Sequence, residues 1–428
     1  MMGSTILGLS QVDITPLSPM QTVGFGREDK LSRGIMHSLS AQVSVWQLGS
    51  EKCCLVAIDH IGFSKQHADI LRNKIGETLS ISQNKVMLCF SHTHSAPDDS
   101  IETAYSDFVD ARVIKAVREA ADHMAPIKAS WGNAYGDIGM NRRGDSAALD
   151  RRIGILKVVD ACSGNLRLLL LRLSAHANVL KEDNYLISPD YFGTARDLLS
   201  EKYGCMVMLT QGASGNISPK YYATSSVWTS EHPVPSYYGK CESSTALNDM
   251  AEEVCRQVDR GIGDIQPRNV ERLDMYSVYQ KLDADVPSYE RAMEIAAEAK
   301  KETHIDGAAW LAEVQRLIQN GVEKQTDDIE LQYFSLDNGC LCGVPNEIMC
   351  EFALRTSEKI NSDLFYFGGY TNGCTGYFPT EEEYDKGGYE VYWSMLIYYI
   401  YHGRVAPLNR DSAAELIEAA VDNAPRSL

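Results

Sequence analysis

The chain has 428 residues, of which 44% are hydrophobic and 23% charged, a composition typical of a folded globular protein. Its net charge of -18 at pH 7 would repel phosphate backbones and anionic bilayers, which argues against nucleic-acid binding. The N-terminus lacks the basic and apolar regions of a signal peptide, and no apolar stretch reaches the ~20 residues of a membrane helix. The eleven cysteines are scattered, without a CxxC pair. We therefore expect reduced thiols, a cytoplasmic location and no stable membrane insertion.

The first half of the chain predicts apolar strands joined by helices. A helix is predicted over 67–78, where apolar residues recur at helical spacing between two short β-branched segments. This strand, helix, strand order is typical of an α/β sheet, in which polar residues at strand ends tend to form sites. The predicted strands of this half are 43–47, 53–58, 85–90, 153–159, 166–174 and 206–210.

In the second half of the chain the amino-acid composition changes at about residue 289. Residues 289–324 are rich in Ala, Glu, Lys and Leu and predict a pair of amphipathic helices inserted into or covering the fold. A hairpin is predicted from 331–334 and 340–344 around an Asp-Asn-Gly turn, and a last helix over 412–421. The predicted fold class is α/β, with mixed β-sheets flanked by helices and a helical insertion near 289–324. With no repeat or linker in the sequence, we expect a single domain over 1–428.

His92 and His94 follow the predicted strand 85–90 directly. In an extended chain, residues i and i+2 point to the same side, so the two imidazoles would be presented together. Neutral imidazoles are good zinc ligands. Taken alone, the pair is equally compatible with polar histidines at a strand end that make ordinary hydrogen bonds.

His176 and Glu347 also follow apolar strands. A lone histidine in such a place is more often a satisfied core residue, and a lone glutamate more often complements the first turn of a helix. The interpretation of both residues as metal ligands is favoured because catalytic zinc takes about three protein ligands from separate elements.

The segment 211–219 reads QGASGNISP. Its small residues would let the backbone approach a ligand closely, and Ser218 precedes Pro219, which favours extended geometry. An ordinary Ser-Pro turn is the alternative. The segment lacks the Gly-Lys-Ser/Thr ending of a phosphate loop.

Taken in order, these segments resemble the catalytic domain of the neutral/alkaline non-lysosomal ceramidases. The likeness covers most of the chain, including the early stretch 7–59, and it depends on several short motifs rather than on any one of them. The matching segments are HTHSAP at 92–97 (HTHSGP in the family), Asn141-Arg142, Ser174-Ala175-His176, Ile217-Ser218-Pro219, Pro345-Asn346-Glu347, and TGYFPTEEEY at 375–384 followed by Tyr389-Glu390.

The resemblance implies a fold, a metal and a reaction. The implied zinc ligands are His92, His176, Glu347 and Tyr377. It further implies Ser218 as nucleophile or transition-state residue, Arg142 as the cation that orients the substrate, and His94 as a partner beside the metal and the scissile group. Zinc could polarise an amide carbonyl and activate water. We favour water over Ser218 as the attacking group, and hydrolysis of an N-acyl bond in a lipid or lipid-like small molecule, with oligomeric state open.

Several positions depart from the family pattern. Asp98-Asp99 replaces a glycine pair and would add negative charge beside the site, and Arg143-Gly144 replaces Ser-Pro. Asn216 stands in place of an aspartate, and Asn346 in place of a glycine. We also expect no C-terminal immunoglobulin-like domain. These departures leave the implied metal ligands in place and leave the substrate open between ceramide and another N-acyl amide.

The sequence also allows other functional interpretations. A metallo-β-lactamase-like site would need HxHxDH, but Ala96 and Pro97 occupy the last two places, and a barrel amidohydrolase would need regular βα repeats. A catalytically silent binding protein that keeps the fold is the main alternative. A phosphate or nucleotide binder is disfavoured by the negative charge.

Overall fold

Strands that are buried on both faces form the centre of the fold. The computed structural model describes residues 4–144, 146–221 and 243–428. In one strand, Leu168 and Leu170 face a second sheet, whereas Leu169 and Leu171 face helices. Side chains alternate between the faces of a strand, so a continuous apolar run needs cover on both sides. The fold therefore has four layers, in the order helix, sheet, sheet, helix.

The strands and helices are defined as follows. The strands are β1 Ile6–Asp13, β2 Ser40–Leu48, β3 Glu51–Ile58, β4 Val86–Phe90, β5 Ala125–Tyr135, β6 Gly139–Asn141, β7 Arg152–Asp160, β8 Leu166–Leu173, β9 Met206–Gln211, β10 Ile217–Pro219, β11 Leu273–Asp285, β12 Lys324–Leu336, β13 Gly339–Gly343, β14 Glu347–Ile348, β15 Phe365–Gly368 and β16 Tyr377–Phe378. The α-helices are α1 Lys65–Leu79, α2 Thr103–Asp122, α3 Asp190–Tyr203, α4 Ser243–Ile262, α5 Tyr289–Thr303, α6 Ala308–Gln319, α7 Cys350–Ile360, α8 Met395–His402 and α9 Ser412–Asp422.

The larger sheet has eight strands in the order β4-β3-β2-β1-β5-β7-β8-β9. The β3–β4 and β8–β9 pairs at its two ends are parallel, and the intervening pairs are antiparallel. Although β4 and β9 are the two end strands, they approach each other. Gln211 Nε2, at the end of β9, donates to the backbone carbonyl of Ser91 after β4 at 3.1 Å. The curvature of the sheet thus brings the carboxyl ends of β4, β8 and β9 together.

The outer edge of β4 is covered by residues 370–372 from the second half of the chain. Phe90 N–H donates to the carbonyl of Tyr370 at 3.0 Å, and Asn372 N–H donates to the carbonyl of Leu88 at 2.9 Å. The Asn372 side-chain Oδ1 accepts from Leu88 N–H at 2.9 Å. These bonds satisfy backbone groups that a sheet edge would otherwise leave unpaired.

A smaller sheet, in the order β11-β12-β13-β15, packs against the larger one. Trp46 and Phe334 meet across the two sheets with ring centroids 5.4 Å apart. The predicted hairpin is confirmed as β12 and β13, while β13 and β15 are parallel, so their carboxyl ends lie side by side. Helices α1 to α4 cover the outer face of the larger sheet, and α7 and α9 cover that of the smaller one.

The predicted helical insertion is confirmed as α5 and α6. Their apolar faces form a small cluster that includes Trp310 of α6 and Leu396 of α8. Trp393, just before α8, donates to Glu298 Oε2 of α5 at 3.3 Å. The helical pair therefore braces α8. The described cysteines are all free thiols.

Candidate metal centre

The candidate site lies where the carboxyl ends of strands from both sheets meet. His92 and His94 follow β4, His176 follows β8, and Glu347 begins β14 shortly after β13. His92, His176 and Glu347 are buried, as are both ring nitrogens of His94. The fold thus brings together four of the side chains singled out in the sequence, from segments up to 255 residues apart in the case of His92 and Glu347.

The three histidines form one compact group. Each offers a ring nitrogen that lies within 4.8 Å of those of the other two. The ring centroid of His92 is 5.0 Å from that of His94 and 4.8 Å from that of His176. Imidazole nitrogens at this spacing suit a zinc ion, which takes ligands at ~2.0–2.1 Å from a common centre.

Backbone carbonyls fix the orientation of two of these rings. His92 Nδ1 lies 2.6 Å from the carbonyl oxygen of Ile61, and His176 Nδ1 lies 2.7 Å from that of Ser214. A carbonyl oxygen can only accept, so in both rings the proton is on Nδ1. The Nε2 atom of each neutral ring then presents a lone pair to the centre of the site, which is the tautomer of a metal ligand held by an outer hydrogen bond.

Glu347 faces both of these lone pairs with one oxygen. Its Oε2 is 3.2 Å from His92 Nε2 and 3.3 Å from His176 Nε2. Nevertheless, His176 Nε2 and both ring nitrogens of His94 have no hydrogen-bond partner among the described residues. Buried lone pairs that converge without protons between them are costly, and a bound cation removes that cost. The nitrogen and carboxylate donors therefore fit zinc.

Burial and mutual charge set the protonation states. Burial lowers the pKa of His176 to about 4 and holds the pKa of His94 well below its usual value, so both rings are neutral near pH 7. Burial alone would raise the pKa of Glu347, but the charge that a protonated His92 or His176 ring would place beside it holds that pKa well below its usual value. Neutral imidazoles beside an ionised carboxylate are the states in which these groups bind a metal.

The other Glu347 oxygen has different neighbours. The Tyr398 hydroxyl donates to Oε1 at 3.0 Å, and Cys374 Sγ lies 3.9 Å from the same oxygen. The Tyr370 hydroxyl lies 3.5 Å from Oε2 and accepts from the Ser214 hydroxyl at 3.1 Å. Tyr370, Tyr398 and Cys374 were not predicted from the sequence as site residues. Tyr370 had a detectable signal, because it follows the apolar strand β15.

The loop between β9 and β10 passes directly against Glu347. Gly215 N–H donates to the carbonyl of Ile348 at 2.8 Å, and a Cβ at Gly215 would lie 2.3 Å from the carbonyl oxygen of Glu347. The small residues predicted to allow close backbone approach do so here, although the partner is the protein's own chain. Asn216 takes part as well, because its Oδ1 accepts from Cys350 N–H at 2.9 Å at the start of α7.

Ser218 lies in β10, opposite Met140 of β6, and is 4% exposed. The preceding residue is tied to the histidine group, since the carbonyl of Ile217 accepts from His176 N–H at 2.9 Å. The Ser218 hydroxyl has no hydrogen-bond partner within the described parts of the chain. Its role as nucleophile or transition-state residue stays a prediction.

Arg142 and Tyr377 lie together on another side of Glu347. Tyr377 in β16 pairs with Glu347 in β14, and Arg142 Nη2 donates to the Tyr377 hydroxyl at 3.2 Å. Arg142 also donates to Glu390 Oε1 at 2.8 Å and to the carbonyl of Gly215 at 2.6 Å. Burial alone would lower the pKa of Arg142, but Tyr377 and Glu390 raise it, so the guanidinium stays a cation. Tyr377 as a metal ligand stays a prediction.

The acidic pair Asp98-Asp99 was expected to add negative charge beside the site. In the structure both carboxylates accept hydrogen bonds. Asp98 Oδ1 accepts from Ser100 N–H and hydroxyl at 3.0 and 2.6 Å, and Asp99 Oδ2 lies 3.1 Å from His67 Nδ1. Asp99 is therefore compensated by a histidine outside the site.

The substituted Arg143 also has acidic partners. Its Nε donates to Glu383 Oε2 at 2.6 Å, and its Nη1 donates to Glu390 Oε2 at 2.9 Å. Because Glu390 also accepts from Arg142, the two arginines share one carboxylate. This departure from the family pattern thus adds a second cation on the carboxylate that holds Arg142.

The backbone at the two histidines differs from the sequence prediction. His92 and His94 were expected to share one side of an extended strand, but β4 ends at Phe90 and His92 has φ 62°. A left-handed conformation is uncommon for residues other than glycine and is kept only where the surroundings determine it. Bonds from His92 N–H to the carbonyl of His60 and from Ser91 N–H to that of Ile58 hold this turn.

Comparison with known proteins identifies the fold. No protein-family model matches the chain, and no curated protein matches its sequence. Among solved structures, neutral ceramidase from Pseudomonas aeruginosa matches with a TM-score of 0.73 and 17% identity over 98% of this chain and 74% of that chain. A ceramidase complexed with C2 matches with a TM-score of 0.72, 17% identity and the same coverage. The resemblance inferred from the short motifs is thus confirmed at the level of structure: this chain has a neutral ceramidase-like fold.

Proposed function

We propose that this protein is a zinc-dependent hydrolase that cleaves the N-acyl bond of a linear, lipid-like amide. The observation that carries the proposal is the convergence of His92 Nε2 and His176 Nε2 on one oxygen of Glu347, with the His94 ring nitrogens buried beside them. That this group sits in a neutral ceramidase-like fold supports the amide substrate class.

The metal would be held by His92, His176 and Glu347, with His94 or Tyr377 completing the set. When bound, zinc supplies a Lewis acid that polarises the amide carbonyl and activates water. The reaction would convert an amide and water into a carboxylic acid and an amine. We expect water, rather than Ser218, to be the attacking group.

Three side chains of this protein would serve the reaction directly. The Arg142 guanidinium, fixed by Glu390 and by the carbonyl of Gly215, would face the negative charge that develops on the carbonyl oxygen. His94, neutral and with both nitrogens lacking a partner among the described residues, would move a proton from the attacking group to the leaving amine. The Ser218 hydroxyl would form a hydrogen bond to the amide group that is being cleaved.

The proposal also covers the substrate class, the cellular location and the domain organisation. Ceramide or another N-acyl amide of a lipid is the expected substrate class. Within the described residues, none of the helices combines the length and apolar character needed to cross a bilayer. We keep the cytoplasmic location and the single catalytic domain over 1–428 as parts of the proposal.

Elemental analysis tests the metal. We expect about one zinc per chain in the wild type, lost in His92→Ala and Glu347→Ala. His123→Ala is the matched control, because His123 is exposed and bonds to the carbonyl of Glu119 within its own helix end. An absence of zinc from metal-replete wild type would refute the proposal.

Hydrolysis tests the substrate class. Wild-type protein would be incubated with ceramide and with other N-acyl amides of varied acyl length and headgroup, and the released amine measured. Glu347→Ala should release none. Zinc binding without hydrolysis of any member of the panel would favour the alternative of a catalytically silent binding protein.

A further inference from the structure

The two oxygens of Glu347 are held in different ways. Oε2 lies near His92 Nε2 and His176 Nε2, at 3.2 and 3.3 Å, whereas Oε1 accepts from the Tyr398 hydroxyl at 3.0 Å. A carboxylate can turn about its last bond and can offer a metal either one oxygen or both. Tyr398 opposes that turn, because turning would break its hydrogen bond in a buried site.

Tyr398 is itself fixed by the element that carries it. It lies on α8, and Leu396 on the same helix packs into the apolar cluster formed by α5 and α6. The helix ends in a left-handed Gly403 whose N–H donates to the carbonyl of Tyr399. The hydroxyl of Tyr398 is thus presented to Glu347 by a helix that the inserted helical pair braces.

We propose that Tyr398 is a positioning residue that restricts Glu347 to a single metal-binding oxygen, Oε2. This proposal rests on the proposed function only in that the site binds a metal. Partners of this kind orient a ligand and fix its charge, and removing one typically costs ~10- to 100-fold in metal affinity. The proposal also assigns a role to the helical insertion: α5 and α6 pack against α8, and α8 presents the Tyr398 hydroxyl to the Glu347 carboxylate.

The test compares Tyr398→Phe with Tyr399→Phe. Both variants remove one hydroxyl from α8, but Tyr399 points to the cluster with α5 and α6 and not to Glu347. The zinc dissociation constant would be measured by competition with a chromogenic chelator. The cobalt-substituted proteins would be compared by their visible absorption, which reports coordination number and does not depend on turnover.

We expect Tyr398→Phe to bind zinc ~10- to 100-fold more weakly and to show an altered cobalt spectrum, with Tyr399→Phe matching the wild type in both. The thermal midpoints of the zinc-free proteins should agree, which separates positioning from folding. A wild-type dissociation constant and cobalt spectrum in Tyr398→Phe would overturn this inference alone. A wild type that binds no metal would overturn both this inference and the proposed function.

Discussion

His67 gives a prediction in which sign and size both follow from geometry. Its Nδ1 lies 3.1 Å from Asp99 Oδ2 and its Nε2 lies 3.0 Å from Asp110 Oδ1, so one imidazole bridges two carboxylates. Its ring stacks on Phe63 with centroids 4.1 Å apart. Asp99 lies in the loop 91–102 that also carries His92 and His94, and the bridge ties this loop to α1, which carries His67, and to α2, which carries Asp110. Removing its charge therefore tests how the loop is held.

The expected size follows from the pKa of His67. Burial alone would lower it, but the hydrogen bonds and charges of Asp110 and Asp99 raise it from 6.5 to about 9. At 1.36 kcal/mol per pKa unit this corresponds to at most about 3 kcal/mol, and solvent screening of a partly exposed ring brings the range to about 1–3 kcal/mol. At ~2.1 cal/mol/K per residue, 428 residues give an unfolding entropy of about 0.9 kcal/mol/K, so the thermal midpoint should move by about 1–3 °C.

The pH dependence has a definite sign. A histidine with a raised folded-state pKa contributes its full stabilisation below 6.5 and loses it as pH rises through about 9. Thermal midpoints of wild type and His67→Gln would be measured at about pH 6 and about pH 10, so that other titrating groups cancel in the difference. We expect the wild-type advantage to be larger by about 1–3 °C at the lower pH. An equal difference at both pH values would refute the ion-bridge account.

Two further predictions concern the site, and a third concerns a buried ion pair between Arg72 and Glu330. His176→Ala should lose zinc by elemental analysis together with N-acyl hydrolysis, and retained zinc would remove His176 from the ligand set. Ser218→Ala should keep zinc while kcat falls by ~100-fold, and turnover at the wild-type rate would show that Ser218 has no role in the reaction. Arg72 is 1% exposed and donates to both oxygens of Glu330 at 2.9 and 2.7 Å. Arg72→Ala should cost about 3–5 kcal/mol of unfolding free energy, measured by urea denaturation, and a cost below about 1 kcal/mol would mean that Glu330 finds other partners.

Local signals in the sequence predicted much of the fold. Apolar runs such as 166–174 predicted β8, and the Ala- and Glu-rich segment 289–324 predicted α5 and α6, because both signals depend on neighbours in the chain. Strands β1, β5, β11 and β15 and helices α2, α3, α4, α7 and α8 were not predicted. β11 has no buried residue between Tyr276 and Lys281, so its middle lacks the apolar pattern of a buried strand.

The candidate site was predicted only in its residue types and not in its arrangement. The motifs around His92, His176 and Glu347 were recognised from the chain, and the structure brings them together. The structure alone shows the meeting of the two end strands β4 and β9, because periodicity carries no information about how far a sheet curves. Tyr398 was missed for a related reason: its hydroxyl contacts a carboxylate 51 residues away, and no local pattern of the sequence indicates that contact.

The cover over β4 has a consequence for how the protein is made. Until residues 370–372 have been synthesised, the outer edge of the apolar strand Val86–Phe90 lacks its backbone partners from that segment. An uncovered apolar edge is a template on which a second copy can add a strand. We expect a chain ended at residue 360 to collect in the insoluble fraction on expression, and a soluble monomer of that length would disprove it. We therefore expect residues 370–372 to prevent self-association through β4, in addition to contributing Tyr370 to the site.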